Sequence, residues 1–184
     1  MGKEYTEIDD RIQGWMARQH VFFVATAAAG GHVNCSPKGL DCLRVLGARE
    51  LAYVDTGGSG IETVAHLRDN GRITLMMCAF DGPPKIYRFY GRGTAVEPQD
   101  DGFDALLARF PAMPAARSII RIEIERIIDS CGYGVPLYEF RQQRDSLGNY
   151  FGKQSEDDIR EYRRKRNASS LDGLPGLRFP AGRR

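Results

Sequence analysis

Across residues 6–19 the apolar residues Ile8, Ile12, Trp15 and Met16 recur at helical spacing, which predicts a leading helix with one apolar stripe, Thr6 as N-cap and Asp9 three residues on. The period then shortens to that of a strand. Residues 21–27 are β-branched and aromatic, Gly30 and Gly31 mark a turn, and residues 32–37 complete a predicted hairpin. Residues 40–46 and 51–56 predict a second hairpin, joined through residues 47–50. After Gly57, Gly58, Ser59 and Gly60, the spacing of Ile61, Val64, Ala65 and Leu67 predicts a short helix that Asn70 and Gly71 stop.

Residues 72–80 form a largely apolar run and predict a strand, with a turn at 81–84. A long strand over 85–97 follows, in which Gly91 and Gly93 point to a bulge or bend. Phe103, Leu106, Leu107 and Phe110 predict a helix within 98–110. In residues 118–128, Ile120, Ile122 and Ile124 alternate with Arg121, Glu123 and Glu125, so one face of that strand is wet. A short extended piece is expected over 131–140. A helix opens at Ser155, Glu156, Asp157 and Asp158 and runs into Arg160, Arg163, Arg164, Lys165 and Arg166, which matches charge to the helix dipole at both ends. Residues 171–177 are turn-rich. Short strands in near-consecutive hairpins, with helices only at corners, give the fold class as mainly β with peripheral helices (α+β), an antiparallel barrel and not a doubly wound sheet.

The 184 residues are 42% hydrophobic and 27% charged, with a formal charge of +2, so the chain can bury a real core and is not disordered. No apolar run reaches the roughly 18 residues of a membrane span. The first ten residues hold four acids and no apolar stretch, which predicts a cytoplasmic protein and not a secreted one. Cys35, Cys42, Cys78 and Cys131 show no paired spacing and are read as small buried apolar residues. His20, His32 and His66 lack metal-ligand spacing, so no metal site is expected.

Catalytic templates for serine hydrolases, P-loop enzymes and zinc proteases are missing from the sequence, which points to chemistry borrowed from a cofactor. Three features suit a planar ligand carrying a phosphate. Ser36, Pro37, Lys38 and Gly39 end a strand with a cation beside an approachable backbone. The Gly57–Gly60 turn opens a helix whose free N–H groups, with the hydroxyls of Ser59 and Thr63, suit an anion. Lys85, Arg88 and Arg92 lie among Tyr87, Phe89 and Tyr90. Each also has a plainer reading, as a surface lysine, a loop and a sheet with one solvated face.

The order of these pieces carries a resemblance. Phe22 to Ala27, Gly31 to Gly39 (with Asn34, Cys35, Ser36, Pro37 and Lys38), Leu51 to Thr56, Val64 to Ile73 and Pro84 to Gly93 follow one another as in the pyridoxamine 5'-phosphate oxidase-like family, over about residues 15–140. The resemblance implies an FMN-binding split barrel at 1–140, with a polar helical extension at 141–184 that lies on the barrel or on a partner subunit. It implies a homodimer with FMN in grooves at the interface, a small-molecule substrate and no membrane. The flavin phosphate is then expected at Ser59, Gly60 and Thr63, its ring along Asn34 to Lys38, and Tyr53, Asp55 and Thr56 on the neighbouring strand of that groove. The aromatic strand over residues 85–90 is expected to lie exposed in a monomer and so to demand a partner.

The chain departs from the pyridoxamine phosphate oxidases in two places. Glu62 and Thr63 stand where those enzymes carry an Arg-Lys pair, so another cation must serve, with Lys38, Arg72 and Lys85 as candidates, and Arg88 is also expected to touch the cofactor. The ending, Asn167 to Gly176, replaces their arginine-rich strand and resembles an uncharacterised bacterial subgroup. An FMN-dependent oxidoreductase on a different small substrate is the expectation, with no catalytic side chain assigned. The same barrel holding a deazaflavin coenzyme or haem is the alternative. Nucleic-acid binding through the basic tail helix is disfavoured by the near-neutral charge.

Overall fold

The computed structural model describes residues 2–179; Met1 and the last five residues of the extension, 180–184, lie outside the described residues. Eight strands form one antiparallel sheet: β1 (Glu4–Tyr5), β2 (Phe22–Ala27), β3 (Val33–Lys38), β4 (Leu43–Gly47), β5 (Glu50–Asp55), β6 (Arg72–Cys78), β7 (Ile86–Val96) and β8 (Ser118–Ser130). Their order is β3-β2-β6-β7-β8-β5-β4, with β1 paired to β8. The sheet curls around a single apolar core that contains Val24, Leu51, Leu75, Phe89, Ile120 and Ile122, and its edge strands β3 and β4 do not pair with each other. The result is a split antiparallel barrel with peripheral helices. Five helices surround it: α1 (Asp10–Met16), α2 (Glu62–Asn70), α3 (Phe103–Leu107), α4 (Ser146–Phe151) and α5 (Glu156–Arg166). Among the described residues no helix is long and apolar enough to cross a membrane.

Both predicted hairpins form, β2 with β3 and β4 with β5. The irregularity expected near Gly91 falls between Tyr90 and Gly91, where Tyr90 faces Arg126 but Gly91 faces Ile124. A Cβ on Gly91 would meet the Glu123 carbonyl oxygen at 2.0 Å, so the close approach of β7 to β8 there needs glycine. The helix expected from Ser155 forms as α5, and Ser155 and Asp158 close its start with a reciprocal capping box.

Several expectations are corrected. The leading helix begins at Asp10, because Asp9 and not Thr6 accepts the Ile12 N–H at 2.7 Å. The two-residue strand β1 ends the chain's N-terminal approach on β8, where Asp129 accepts from the Lys3 N–H, the Tyr5 hydroxyl and Lys85. Burial opposes the charge on Asp129, yet these donors hold its pKa below the ordinary value. Residues 131–140 pair with no strand in the sheet, although Tyr138 N–H bonds the Phe80 carbonyl at 2.8 Å. Only Cys42 and Cys78 are buried; Cys35 and Cys131 are exposed. The aromatic strand is not an exposed patch either. Tyr87 and Phe89 point into the core, 2% and 0% exposed, because inward positions on β7 alternate with Arg88 and Tyr90.

Candidate functional site

The two hairpins bring the ends of β3 and β5 together although the strands are not neighbours in the sheet. Lys38 leaves the end of β3 and its Nζ lies 2.8 Å from Asp55 Oδ1, at the end of β5. Asp55 Oδ2 accepts from Arg117 Nε, also at 2.8 Å, and Arg117 Nη1 reaches the Gly58 carbonyl at 2.8 Å. Asp55 is thus a fully buried carboxylate between two cations. Burial works against its charge, but Lys38 and Arg117 outweigh that cost and hold its pKa below the usual carboxylate value.

This cluster faces the Gly57–Gly60 turn across a cavity of about 400 Å³. Ser36, Pro37, Lys38, Asp55, Thr56, Gly60, Thr63 and Arg117 line it, and so does the acidic Glu62. Ile61 occupies the N-cap of α2 and makes no side-chain cap, so the first-turn N–H groups have no acceptor from that position. Thr63 is steadied from behind, its Oγ1 3.2 Å from Asn34 Nδ2. Asn34 also bonds Ser36 Oγ, and Thr26 Oγ1 lies 3.0 Å from the buried His66 Nδ1. Tyr53 is fully buried beneath Lys38, with Lys38 Nζ 5.8 Å from the centre of its ring, and burial raises the pKa of its phenol. Cys42 lines the same cavity, and burial pushes its thiol up to about 11, which makes it a poor nucleophile.

The C-terminal extension covers the turn. Phe151 of α4 lies so close to Gly57 that a Cβ there would meet its ring at 2.3 Å. Asn167 Nδ2 donates to the Gly58 carbonyl at 2.9 Å, and Leu147 closes the cavity wall. Arg163 donates to the carbonyls of Ala115 and Ala116, just ahead of Arg117. Burial lowers the Arg163 pKa, and repulsion from Arg117 adds to it.

Of the residues singled out from sequence, Ser36, Pro37, Lys38, Asp55, Thr56, Gly60 and Thr63 converge on this cavity. Asn34 and Tyr53 stand behind it. Cys35 points to the opposite face of β3, where alternate residues are exposed. The Ser59 side chain is exposed and does not line the cavity; its carbonyl instead receives Asn167. The three remaining candidate cations are elsewhere. Arg72 bonds Asn70 Oδ1 and the Ala28 carbonyl, Lys85 is tied to Asp129, and Arg88 bonds Ser130. Arg117 was missed. It precedes a strand by one residue, and nothing in its local sequence separates it from a surface arginine until the sheet order sets β8 beside β5.

The sequence profile described as Pyridoxamine 5'-phosphate oxidase matches residues 8–131. A curated relative, the Pyridoxamine 5'-phosphate oxidase family protein ustO of Aspergillus flavus, is 37% identical over 191 residues, covering 94% of this chain and 77% of that protein. The chain belongs to the pyridoxamine 5'-phosphate oxidase family. That relative is fungal, so it gives no support to a bacterial subgroup. Among solved structures, HupZ of Group A Streptococcus matches with a TM-score of 0.56 at 22% identity, over 67% of this chain and 94% of that one. A FAD-binding protein of Mesorhizobium loti matches with a TM-score of 0.50 at 14% identity, over 70% of this chain and 96% of that one. Both share the fold. Within this family fold, the cavity between the ends of β3 and β5 is enclosed by residues 8–131 together with Leu147 of the extension.

Proposed function

We propose that this chain binds FMN in the groove between Lys38 and the Gly57–Thr63 turn and acts as a flavin-dependent oxidoreductase on a small molecule other than pyridoxamine phosphate, as a cytoplasmic homodimer. The observation that carries the reading is the pair of cations, Lys38 and Arg117, set against one buried carboxylate beside an uncapped helix N-terminus. The fixed N–H groups of the turn and the Lys38 and Arg117 donors fit a phosphomonoester, although Asp55 and Glu62 balance the charge of the two cations. Arg117 supplies the cation that the missing Arg-Lys pair would otherwise provide. Family membership and the FAD-binding neighbour of the same fold support a flavin. Leu147 and Phe151 close the turn side of the groove, which favours the mononucleotide over the longer dinucleotide.

When bound, FMN would supply the redox chemistry. The chain's own residues bind and orient. Thr63 donates its hydroxyl to the phosphate while Asn34 fixes its rotamer, Arg117 and Lys38 balance the charge, and the extension keeps water from the turn. Glu62 and Thr63 in place of a cationic pair, and the Asn167–Gly176 ending, set this chain apart from enzymes acting on a phosphorylated vitamin.

The test is the absorption spectrum of the purified protein followed by titration with FMN and riboflavin. A flavin spectrum and a preference for FMN are expected. Thr63→Ala should weaken FMN about tenfold and riboflavin little, a loss of about 1.4 kcal/mol consistent with one hydrogen bond to a charged group. Ser59→Ala, outside the cavity, should change neither. A haem spectrum, or equal losses for both ligands, would overturn the assignment.

A further inference from the structure

A second cavity, larger than the flavin groove, adjoins it. It has a volume of about 630 Å³, within the range of small-molecule sites, and lies between the barrel mouth and residues 138–147. Its walls are aromatic. The Phe140 ring stacks on His20 with centroids 3.7 Å apart and planes 12° from parallel, and Tyr138 leans on Phe80 at 5.4 Å. These are built walls and not loose loops: the Tyr138 N–H bonds the Phe80 carbonyl at 2.8 Å, and Gln143 Nε2 donates to the His20 carbonyl at 3.2 Å. Yet Tyr138 and Phe140 remain 63% and 44% exposed, a large apolar surface facing an open space.

The cavity adjoins the flavin groove, since Gly39, Leu40 and Leu147 line both. At this junction Leu40 takes φ +62, a left-handed conformation that side chains with a Cβ rarely adopt. The extension holds it there, because Gln143 Oε1 accepts the Leu40 N–H at 3.1 Å. Backbone held in such a region by its surroundings is characteristic of ligand sites. The charged groups, Arg18, Arg144, Asp81 and Glu139, balance in sign and give no preference for an ionic ligand.

We infer that this cavity is the substrate site, and that it takes a planar, largely apolar molecule, aromatic or conjugated, laid against Phe140 and Tyr138 beside the flavin. The inference rests on the flavin reading for its word substrate; the cavity's ligand class rests on its own walls.

The full chain is titrated with 2-naphthol by calorimetry, first without and then with saturating FMN, while the visible flavin band is recorded. One 2-naphthol per chain is expected, with FMN still bound and its band shifted. Phe140→Ala should weaken 2-naphthol about tenfold or more, since stacking and buried ring area are both lost, while Phe140→Tyr stays within about threefold of wild type and FMN affinity is unchanged. Phe140 lies outside the barrel core and is 44% exposed, so the fold should tolerate its loss, and Tyr138→Ala provides an independent check. The inference is overturned if 2-naphthol does not bind, as when a second copy of the chain covers the walls. It is equally overturned if Phe140→Ala has no effect, or if FMN and 2-naphthol exclude each other, which would make the cavity the seat of the flavin ring. Should FMN fail to bind while 2-naphthol still depends on Phe140, the flavin reading falls and the aromatic site stands.

Discussion

Lys38 Nζ sits 2.8 Å from Asp55 Oδ1 and so ties the end of edge strand β3 to β5, across the side of the barrel that no backbone ladder closes. Arg117, with a side chain only 6% exposed, holds the other oxygen of the same carboxylate. Replacing Asp55 with Asn leaves two cations in a dry setting without their counter-charge. A loss of roughly 3 to 5 kcal/mol is expected, which for a chain of this size is a fall in Tm of about 6 to 20 °C. The pH dependence follows from the direction of the shift. The Asp55 pKa is lower in the folded chain than its ordinary 3.8, so the unfolded state binds the proton more readily. The ion cluster therefore stabilises fully above about pH 4 to 5 and loses that contribution as pH falls through 3.8 toward the folded value. Thermal unfolding by circular dichroism should show wild type well above Asp55→Asn at pH 7 and the gap narrowing below about pH 4. A gap that is absent at pH 7, or constant with pH, would deny Asp55 this role.

Arg117 and Lys38 share Asp55 but differ in freedom. Arg117 also holds the Gly58 carbonyl and is nearly buried, whereas the Lys38 side chain is 20% exposed at the cavity wall. Arg117→Met is expected to weaken FMN about tenfold or more and riboflavin by less than about threefold, as loss of a phosphate cation requires. Lys38→Met is expected to lower either FMN affinity or, if the amine meets the pyrimidine edge of the ring, the midpoint potential, since a cation there stabilises the reduced flavin. Fluorescence titration and potentiometry on both variants decide between these roles. If Lys38→Met moves neither quantity, Lys38 serves only as the partner of Asp55.

Much of this architecture was legible in the sequence because it is written in periods. Alternation in β8 and the two hairpin turns are local signals, and so are the opening of α5 at Ser155 and its charge gradient. The convergence of Ser36, Lys38, Asp55, Gly60 and Thr63 was readable only through the order of pieces that the family resemblance supplied. What escaped was set by distance along the chain. Arg117 reaches Asp55 across 62 positions and Asn167 reaches Gly58 across 109, and neither has a local pattern that announces a partner. Helix α4 is six residues long with only Leu147, Tyr150 and Phe151 as large apolar residues, too short for a period to show. Lys85 and Arg88 were misplaced for the converse reason. Their cationic and aromatic neighbourhood resembles a ligand strand, but their partners, Asp129 and Ser130, lie on β8.

The expected dimer needs a different face from the aromatic strand first considered, since Tyr87 and Phe89 are core. The outer side of β3, β2 and β6 supplies one. Pro37, Phe23 and Met76 lie in cross-strand register, and Cys35, Ala25 and Thr74 form the next row. Inward neighbours Phe22, Val24 and Thr26 are buried while Phe23, Ala25 and Met76 are only partly covered, and Val33, at the edge, is 75% exposed. The two rows named carry no charge and the face ends in an open edge strand, so a second copy can cover it symmetrically, with Arg72 at its rim. Sedimentation equilibrium of the wild-type chain at micromolar concentration is expected to give a dimer. Ala25→Glu sets a carboxylate in the middle row without disturbing the core, and should raise the dimer dissociation constant at least about a hundredfold, near 2.7 kcal/mol, because that charge would have to be buried unpaired in each subunit. A wild-type monomer, or an Ala25→Glu dimer as tight as wild type, would remove this face from the interface, and circular dichroism of the variant distinguishes that result from misfolding.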